Sequence, residues 1–231
     1  MAPVQNVFRR YEKKYLLSKC QFDSLMEELE PFMQIDQYGL HTICNIYYDT
    51  EQYDLIRTSI EKPVYKEKFR VRSYGVPKED DPVFLEIKKK YKGVVYKRRV
   101  SMPLQTAKEY LIKQEMGNND SQIMKEISYF MKFYQPVPKV YIAYDRIAMF
   151  GKQDPNQRIT FDTNIRSRVT DLDLDKGDYG QLLLDKEQYL MEVKILGAIP
   201  LWLSQIFTKL EIYPTSFSKY GNVYKTKLCN A

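Results

Sequence analysis

Residues 65–74 read YKEKFRVRSY, a stretch that predicts a β-strand with one strongly basic face. Its cations stand at every second position: Lys66, Lys68, Arg70 and Arg72. In a strand this spacing places all four on one face, because successive side chains point to opposite sides. Glu67, Phe69 and Val71 then occupy the other face. Four like charges in a row repel each other, so the pattern indicates either a solvated surface or an anionic ligand lying along it.

The same alternation recurs in other segments rich in β-forming residues. The predicted strands are 7–17, 41–49, 65–74, 83–90, 94–102, 140–150, 158–168 and 189–195. One such strand alone is best explained as the solvated face of an antiparallel sheet. The set as a whole argues against that explanation, because its polar faces are mainly cationic. If the sheet closes into a barrel and the cations face inward, they line a positively charged interior. Crowded cations need compensating charge, which a long polyanion would supply along the whole interior.

Apolar residues at helical spacing predict several helices between the strands. Ser18 and Gln21 form a capping box ahead of an apolar stripe at helical spacing. A short helical segment is expected around 52–59, and Pro103 and Pro200 each begin a further helix. No repeat, linker or change in composition divides the chain. We therefore expect an α+β fold and one domain over residues 1–231.

Length, charge and cysteine content narrow the class of function. The chain has 231 residues and a net charge of +6, which suggests a localised cationic surface for an anionic partner. The only histidine, His41, argues against histidine catalysis or a histidine metal cluster. Cys20, Cys44 and Cys229 fit no disulfide framework or metal spacing, as in proteins of a reducing compartment. No stretch approaches the 18 apolar residues of a membrane span, so we expect a cytoplasmic protein without membrane insertion.

Eight short motifs occur in a characteristic order along the chain. They are RYEKKY, KFRVRSY, LEIKKK, YKRRV, YDRIAMF, RITFDT, MEVKI and SFSKYG. This order, which extends over residues 8–224, resembles the VTC-type polyphosphate polymerase domain of the triphosphate tunnel metalloenzymes, in a stand-alone, bacterial-like form. Each motif alone is weak, whereas eight in order are specific, and FSKYG is the most distinctive.

The resemblance implies a closed antiparallel barrel of about eight strands, with helices outside and a tunnel inside. It also implies transfer of the γ-phosphate of ATP onto a growing polyphosphate chain, with Mn²⁺ or Mg²⁺ as cofactor. The cations expected to act in catalysis are Arg70, Arg72, Lys88, Arg146 and Arg158. Those expected to bind substrate are Lys14, Lys68, Lys97, Arg99, Lys194 and Lys219. Glu192 is the expected metal carboxylate; Glu86 and Glu12 are further candidates that could instead pair with cations.

Two positions depart from related patterns. The CYTH branch of the superfamily opens with an alternating ExExK, whereas this chain has Arg10 in place of the first glutamate. That difference argues against a CYTH-type triphosphatase or cyclase. Ser216 stands where the polymerases carry a lysine, so we expect one phosphate contact fewer and an effect on chain length or affinity.

Two other functions remain open on the residues alone. The first is hydrolysis of inorganic triphosphate or a nucleoside triphosphate, with water as acceptor in the same tunnel. The second is a non-catalytic module that binds polyphosphate, or single-stranded nucleic acid through tyrosines such as Tyr65, Tyr74 and Tyr96. We expect no nucleic acid partner, because the cation-bearing faces contain few aromatic rings on which bases could stack.

Overall fold

The computed structural model describes residues 10–92, 94–115 and 121–229, and of residues 10 and 11 only the backbone. The strands are β1 (Arg10–Ser18), β2 (Met33–Ile35), β3 (His41–Asp49), β4 (Tyr65–Tyr74), β5 (Pro82–Tyr91), β6 (Val94–Pro103), β7 (Val137–Gly151), β8 (Arg158–Arg168), β9 (Gln181–Leu182), β10 (Gln188–Leu196) and β11 (Pro214–Thr215). The helices are α1 (Lys19–Leu29), α2 (Asp54–Ile60), α3 (Leu104–Lys113), α4 (Gln122–Tyr134), α5 (Leu201–Lys209) and α6 (Lys219–Val223), and a π-helical segment, Tyr224–Leu228, follows α6. The predicted α+β class with an antiparallel sheet is confirmed.

Each predicted strand has a counterpart close to its expected bounds. β3, β4 and β8 begin and end at the predicted residues. β1 covers the later part of the segment predicted as 7–17, whose first residues, 7–9, lie outside the described chain. The remaining strands, β2, β9 and β11, have only two or three residues. Such short strands were not predicted, because two or three residues cannot display an alternating pattern.

The described residues divide into two compact units, each assembled from separate parts of the chain. The first contains residues up to 42, 144–165 and 184–217, and the second contains 43–143, 166–183 and residues from 218 onward. β7 and β8 each contribute residues to both units. A division of this kind leaves no boundary that composition could reveal, because each unit is discontinuous in sequence.

Strand order follows from the pairing within each unit. In the first unit the order is β11-β1-β10-β8-β7, with β2 added to β7. In the second it is β7-β3-β4-β5-β6, with β9 added to β8. Over the described residues the pairing path ends at β11 and at β6 and does not return on itself. Closure of the sheet into a barrel therefore stays a prediction.

The core of the first unit lies between its strands and the helices α1 and α5. Leu17 of β1 and Met191 of β10 pack there with Phe22 of α1. The capping box at the start of α1 is confirmed, because the Ser18 hydroxyl accepts from the backbone of Gln21 while the Gln21 side chain accepts from the backbone of Ser18. Capping satisfies two helix-end donors and so determines where α1 begins.

In the second unit, the core lies on the face of β4 opposite its cations. Phe69 of β4 and Ile87 of β5 are buried there, against Leu104 of α3 and Ile127 of α4. Both helices therefore pack on one side of β4 and β5, as the alternation in sequence predicts. Within the described residues, no helix is both long and apolar enough to cross a membrane.

Candidate functional site

A single face of β4, β5 and β6 collects eight cations around one carboxylate. Antiparallel pairing sets Lys68 opposite Lys88 and Lys88 opposite Lys97, and it sets Arg70 opposite Glu86. We call this surface the cation face. Its charged members are Lys66, Lys68, Arg70, Arg72, Glu86, Lys88, Lys90, Lys97 and Arg99. Side chains directly opposite each other lie about 5 Å apart at Cβ, so like charges in these rows repel.

Glu86 is the centre of the cation face. Its oxygen Oε2 accepts from Arg70 Nε at 2.7 Å and lies 3.8 Å from Arg72 Nε, while Oε1 lies 3.0 Å from Lys97 Nζ. Burial alone would raise the pKa of Glu86, but Arg70, Arg72 and Lys97 hold that pKa far below its usual range. Glu86 therefore remains ionised and orders three of the cations. Its assignment as a metal ligand stays a prediction, and the geometry favours the ordering role.

The pKa of Lys97, a member of the cation face, is strongly lowered by its surroundings. Desolvation of the ammonium group, together with the nearby Arg70 and Arg72, lowers the pKa of Lys97 to about 7 against the opposing effect of Glu86, although 42% of the side chain is exposed. Lys66 shows a related effect, because burial and the neighbouring lysines lower its pKa. The cation face thus carries mutual repulsion that an anionic ligand would relieve.

Polar neighbours on β3 fix the two arginines. Arg70 Nη1 donates to the Tyr47 hydroxyl at 2.9 Å, and Arg72 Nε donates to Asn45 Oδ1 at 3.0 Å. Asn45 in turn donates to the backbone carbonyl of Ile142 at 3.1 Å. These neighbours were not among the predicted site residues, because only the register of β3 against β4 reveals them.

The SKYG part of the last motif is anchored through its tyrosine. Tyr220 donates its hydroxyl to the buried carboxylate of Asp49 at 2.8 Å, and its ring stacks on Tyr47 with centroids 5.2 Å apart. The other partners of Asp49 include the backbone amides of Leu55 and Ile56 in α2. Tyr220 therefore holds α6, and with it the predicted substrate lysine Lys219, against α2 and β3.

The first unit carries a second polar face, on β1, β10 and β8. Pairing sets Lys14 opposite Glu192 and Glu192 opposite Thr160, and in the next row it sets Glu12 opposite Lys194 and Lys194 opposite Arg158. Five predicted site residues thus share one surface, the carboxylate face: Lys14, Glu12, Glu192, Lys194 and Arg158. Alternation within each strand predicts which side chains share a face of that strand. The pairing of β1, β10 and β8 brings these three faces together as one surface.

Glu192 lies at the middle of the carboxylate face. Lys194 Nζ is 3.1 Å from a Glu192 oxygen and 3.7 Å from a Glu12 oxygen. Burial would raise the pKa of Glu192, but the charges of Lys194, Lys14 and Arg146 hold that pKa well below its usual range. The carboxylate is consequently available as an anionic ligand at neutral pH.

Two predicted cations of the first unit have well-defined partners. Arg146 forms a two-pronged ion pair with buried Asp162, at 2.6 Å from Nε and 2.8 Å from Nη2. Lys14 donates to the backbone carbonyl of Phe217, in the FSKYG motif, at 2.7 Å. The pairing of Arg146 with Asp162 becomes visible only in the folded chain.

A divalent metal held by the protein alone would need several ligand side chains close together. Among residues 10–92, 94–115 and 121–229, no three acidic, histidine or cysteine side chains cluster so as to hold a metal ion. The carboxylate face nevertheless provides an ionised Glu192 beside Glu12. Mg²⁺ is commonly held by one or two carboxylates together with substrate phosphates. The pair therefore fits a metal that arrives with a phosphate ligand, and does not fit a metal held by protein alone.

The VTC domain family model matches residues 9–227 of this chain. The chain belongs to the VTC domain family. The resemblance inferred from eight ordered motifs is thus confirmed. No curated protein sequence matches the chain.

Solved structures with the same fold extend the comparison beyond the VTC family. A candidate adenylate cyclase from Bacillus halodurans is 15% identical, with a TM-score of 0.60 over 96% of this chain and 100% of that one. Another from Vibrio parahaemolyticus is 12% identical, with a TM-score of 0.53 over 95% and 99% of the two chains. A candidate adenylyl cyclase from Hippeastrum, described as having a dominant triphosphatase activity, is 16% identical, with a TM-score of 0.51 over 93% and 94%. At these identities the likeness establishes the fold alone.

Proposed function

We propose that this VTC-domain protein is a polyphosphate polymerase that transfers the γ-phosphate of ATP onto a growing inorganic polyphosphate chain. Family membership implies an enzyme that acts on triphosphate-type substrates with a divalent metal. Polymer synthesis is the more specific step of the proposal. We place the reaction in the cytoplasm, where ATP is available and Cys20, Cys44 and Cys229 would stay reduced.

The observation that carries the proposal is the extent of the cation face. Its positive side chains form successive rows across β4, β5 and β6, and rows two residues apart are separated by roughly 7 Å along a strand. One triphosphate has only three phosphate groups and would engage a few of these side chains. A polymer of phosphates would contact many of them, and a basic surface of this length favours a polymeric anion.

In this proposal the arginines and lysines position the reacting phosphates. Phosphoryl transfer needs in-line alignment and compensation of charge on the phosphate oxygens, and little covalent chemistry from the protein. Arginine suits this task because its planar donors match phosphate oxygens, whereas lysine acts as a point charge. The side chains assigned to hold the triphosphate are Arg70, Arg72, Lys88, Arg146 and Arg158.

The ordered partners of these arginines support their role. Arg70 is held by Glu86 and Tyr47, and Arg146 is held by Asp162. Fixed donors lose less conformational freedom when they bind, which favours alignment of the substrate. Lys97 and Lys219 are assigned to the polymer that leaves the reaction centre, while Lys14, Lys68, Arg99 and Lys194 add further cationic contacts.

Glu192, with Glu12, would hold the Mn²⁺ or Mg²⁺ ion. When bound, such an ion neutralises charge on the phosphate oxygens and helps to orient them. The low pKa of Glu192 means that no proton has to be displaced at neutral pH before the carboxylate can serve as a ligand. Closure of the sheet into a tunnel is also part of the proposal, and it rests on family membership.

The proposal is tested by incubating the protein with ATP and either Mn²⁺ or Mg²⁺, with and without a short polyphosphate primer. Gel electrophoresis should reveal long polymer and ADP should form in proportion. Failure to form polymer with every metal and primer would contradict polymerase activity.

A second candidate function is hydrolysis of a triphosphate. The triphosphatase activity attributed to the Hippeastrum protein of the same fold supports it. In that case the same incubation would release orthophosphate without polymer. A protein that binds polyphosphate tightly and produces neither product would instead be a non-catalytic binding module.

A further inference from the structure

One buried hydroxyl in the first unit lacks a hydrogen-bond partner within the described part of the chain. Thr160 of β8 is 7% exposed, and its Oγ1 neither donates to nor accepts from another group there. Buried hydroxyls are nearly always paired, because water is lost without compensation when they are not. An unsatisfied hydroxyl in a candidate site is therefore evidence for a ligand that satisfies it.

The position of Thr160 indicates what kind of ligand this is. Thr160 faces Glu192 across the β8–β10 pair, and Arg158 and Asp162 flank it at i−2 and i+2 on the same strand face. Arg146 forms an ion pair with Asp162, and Lys194 forms an ion pair with Glu192. The cations at this surface favour an anionic ligand. The Thr160 hydroxyl can donate a hydrogen bond to that ligand without adding charge.

We propose that Thr160 is a substrate-binding residue whose hydroxyl donates a hydrogen bond to a non-bridging phosphate oxygen. This inference rests on the proposed use of the carboxylate face for a triphosphate. It assigns Thr160 a direct role beside Arg158 and Arg146. The neutral donor allows a phosphate oxygen to approach next to the Glu192 carboxylate, where a further cation would instead pair with that carboxylate.

The inference is tested by binding of inorganic tripolyphosphate to the intact protein, measured by calorimetry, so that catalysis is not required. Thr160→Val keeps the shape and strand preference of threonine but removes the hydroxyl, and Thr160→Ser keeps the hydroxyl. Thr163→Val is the matched control, since Thr163 follows on the same strand at a position of opposite parity. Each protein is measured with EDTA and again with Mg²⁺.

We expect Thr160→Val to weaken tripolyphosphate binding about tenfold, as for one hydrogen bond to a charged group. Its melting temperature without ligand should equal or exceed that of the parent, because a buried unsatisfied hydroxyl has been removed. Thr160→Ser and Thr163→Val should bind like the parent. A threonine with a purely structural role would not be expected to combine weaker binding with an unchanged or higher melting temperature in the Thr160→Val variant.

Three results would overturn the inference: unchanged binding by Thr160→Val, equal weakening by Thr163→Val, or a loss confined to the Mg²⁺ series. The last result would assign the hydroxyl to the metal and not to phosphate. Polymerase activity is scored separately. A parent protein that binds tripolyphosphate through Thr160 but forms no polymer would refute the proposed polymerase function while supporting this inference.

Discussion

Arg70 approaches a single oxygen of Glu86 with two guanidinium nitrogens, at 2.7 Å from Nε and 2.6 Å from Nη2. The Glu86 side chain is only 2% exposed. The same carboxylate also serves Arg72 and Lys97. One negative charge therefore orders three positive ones on the cation face.

Glu86→Gln should destabilise the protein. The substitution leaves Arg70, Arg72 and Lys97 without their shared carboxylate, and loss of one partner of a buried ion pair typically costs about 3–5 kcal/mol. The measurement is the free energy of unfolding by urea. Asp23→Asn is the control, because Asp23 pairs with Lys19 while the two side chains are 51% and 48% exposed, and it should change stability by less than about 1 kcal/mol.

Added polyphosphate should restore much of the stability lost in Glu86→Gln, since the polymer supplies negative charge to the same cations. The gain in melting temperature on adding polyphosphate should consequently be larger for this variant than for the parent. An equal or smaller gain would show that the cation face does not bind the polymer.

Polyphosphate affinity should increase as the pH falls through about 7. Burial, Arg70 and Arg72 lower the pKa of Lys97 to about 7, so the ammonium form gains population below that pH. A bound polyanion favours the charged form, and affinity is therefore highest where Lys97 is protonated. Long-chain polyphosphate is the right ligand, because its end groups contribute little to its titration.

The variant Lys97→Met separates this effect from the titration of other groups. We expect its polyphosphate affinity to vary less between pH 6 and pH 8 than that of the parent, because this range spans the Lys97 pKa of about 7. Lys209→Met is the control, since Lys209 is an exposed partner of Glu28 in the first unit. Identical pH profiles for the parent and Lys97→Met would refute the assignment.

Glu192→Gln should abolish ATP-dependent polymer synthesis while polyphosphate binding survives. The amide keeps the shape of the side chain but removes the charge expected to hold the metal. Polymer is measured on gels across a range of Mn²⁺ concentrations, and binding is measured by calorimetry. Glu28→Gln, which alters a surface ion pair, should retain full activity. Activity of Glu192→Gln equal to that of the parent would remove Glu192 from the proposed metal site.

Tyr220→Phe should loosen the attachment of the SKYG segment. The hydroxyl of Tyr220 donates to the buried carboxylate of Asp49 at 2.8 Å, and a hydrogen bond to a charged group contributes about 1.5–3 kcal/mol. We expect a loss of that order in the free energy of unfolding, measured by chemical denaturation. Tyr213→Phe is the control because Tyr213 is 71% exposed. No difference between the two variants would show that the Asp49 contact does not stabilise the fold.

Much of the candidate site was predictable from single strands. A spacing of two residues in YKEKFRVRSY places Lys66, Lys68, Arg70 and Arg72 together whatever the strand pairs with, because alternation is a property of the backbone. The confirmed family followed from the order of such strands. The functions of individual site residues stay predictions, and the experiments above address them.

Which side chains pair with each other across strands, in contrast, was not predictable from any strand alone. Glu86 stands opposite Arg70 because β5 pairs with β4 in one register, and a shift by one residue would place Glu86 on the opposite face. Asp49 and Tyr220 meet across 171 positions of sequence. No local pattern specifies such contacts.

The sequence alone determined that YKEKFRVRSY has a basic face and an apolar face, because strand geometry acts on neighbouring residues. Only the tertiary structure decided that Glu86 orders Arg70, Arg72 and Lys97, and that the hydroxyl of Thr160 lies buried beside Glu192. The physical reason is that charge pairing and burial depend on distances of a few ångströms between strands. Those distances are determined by register and packing over the folded chain.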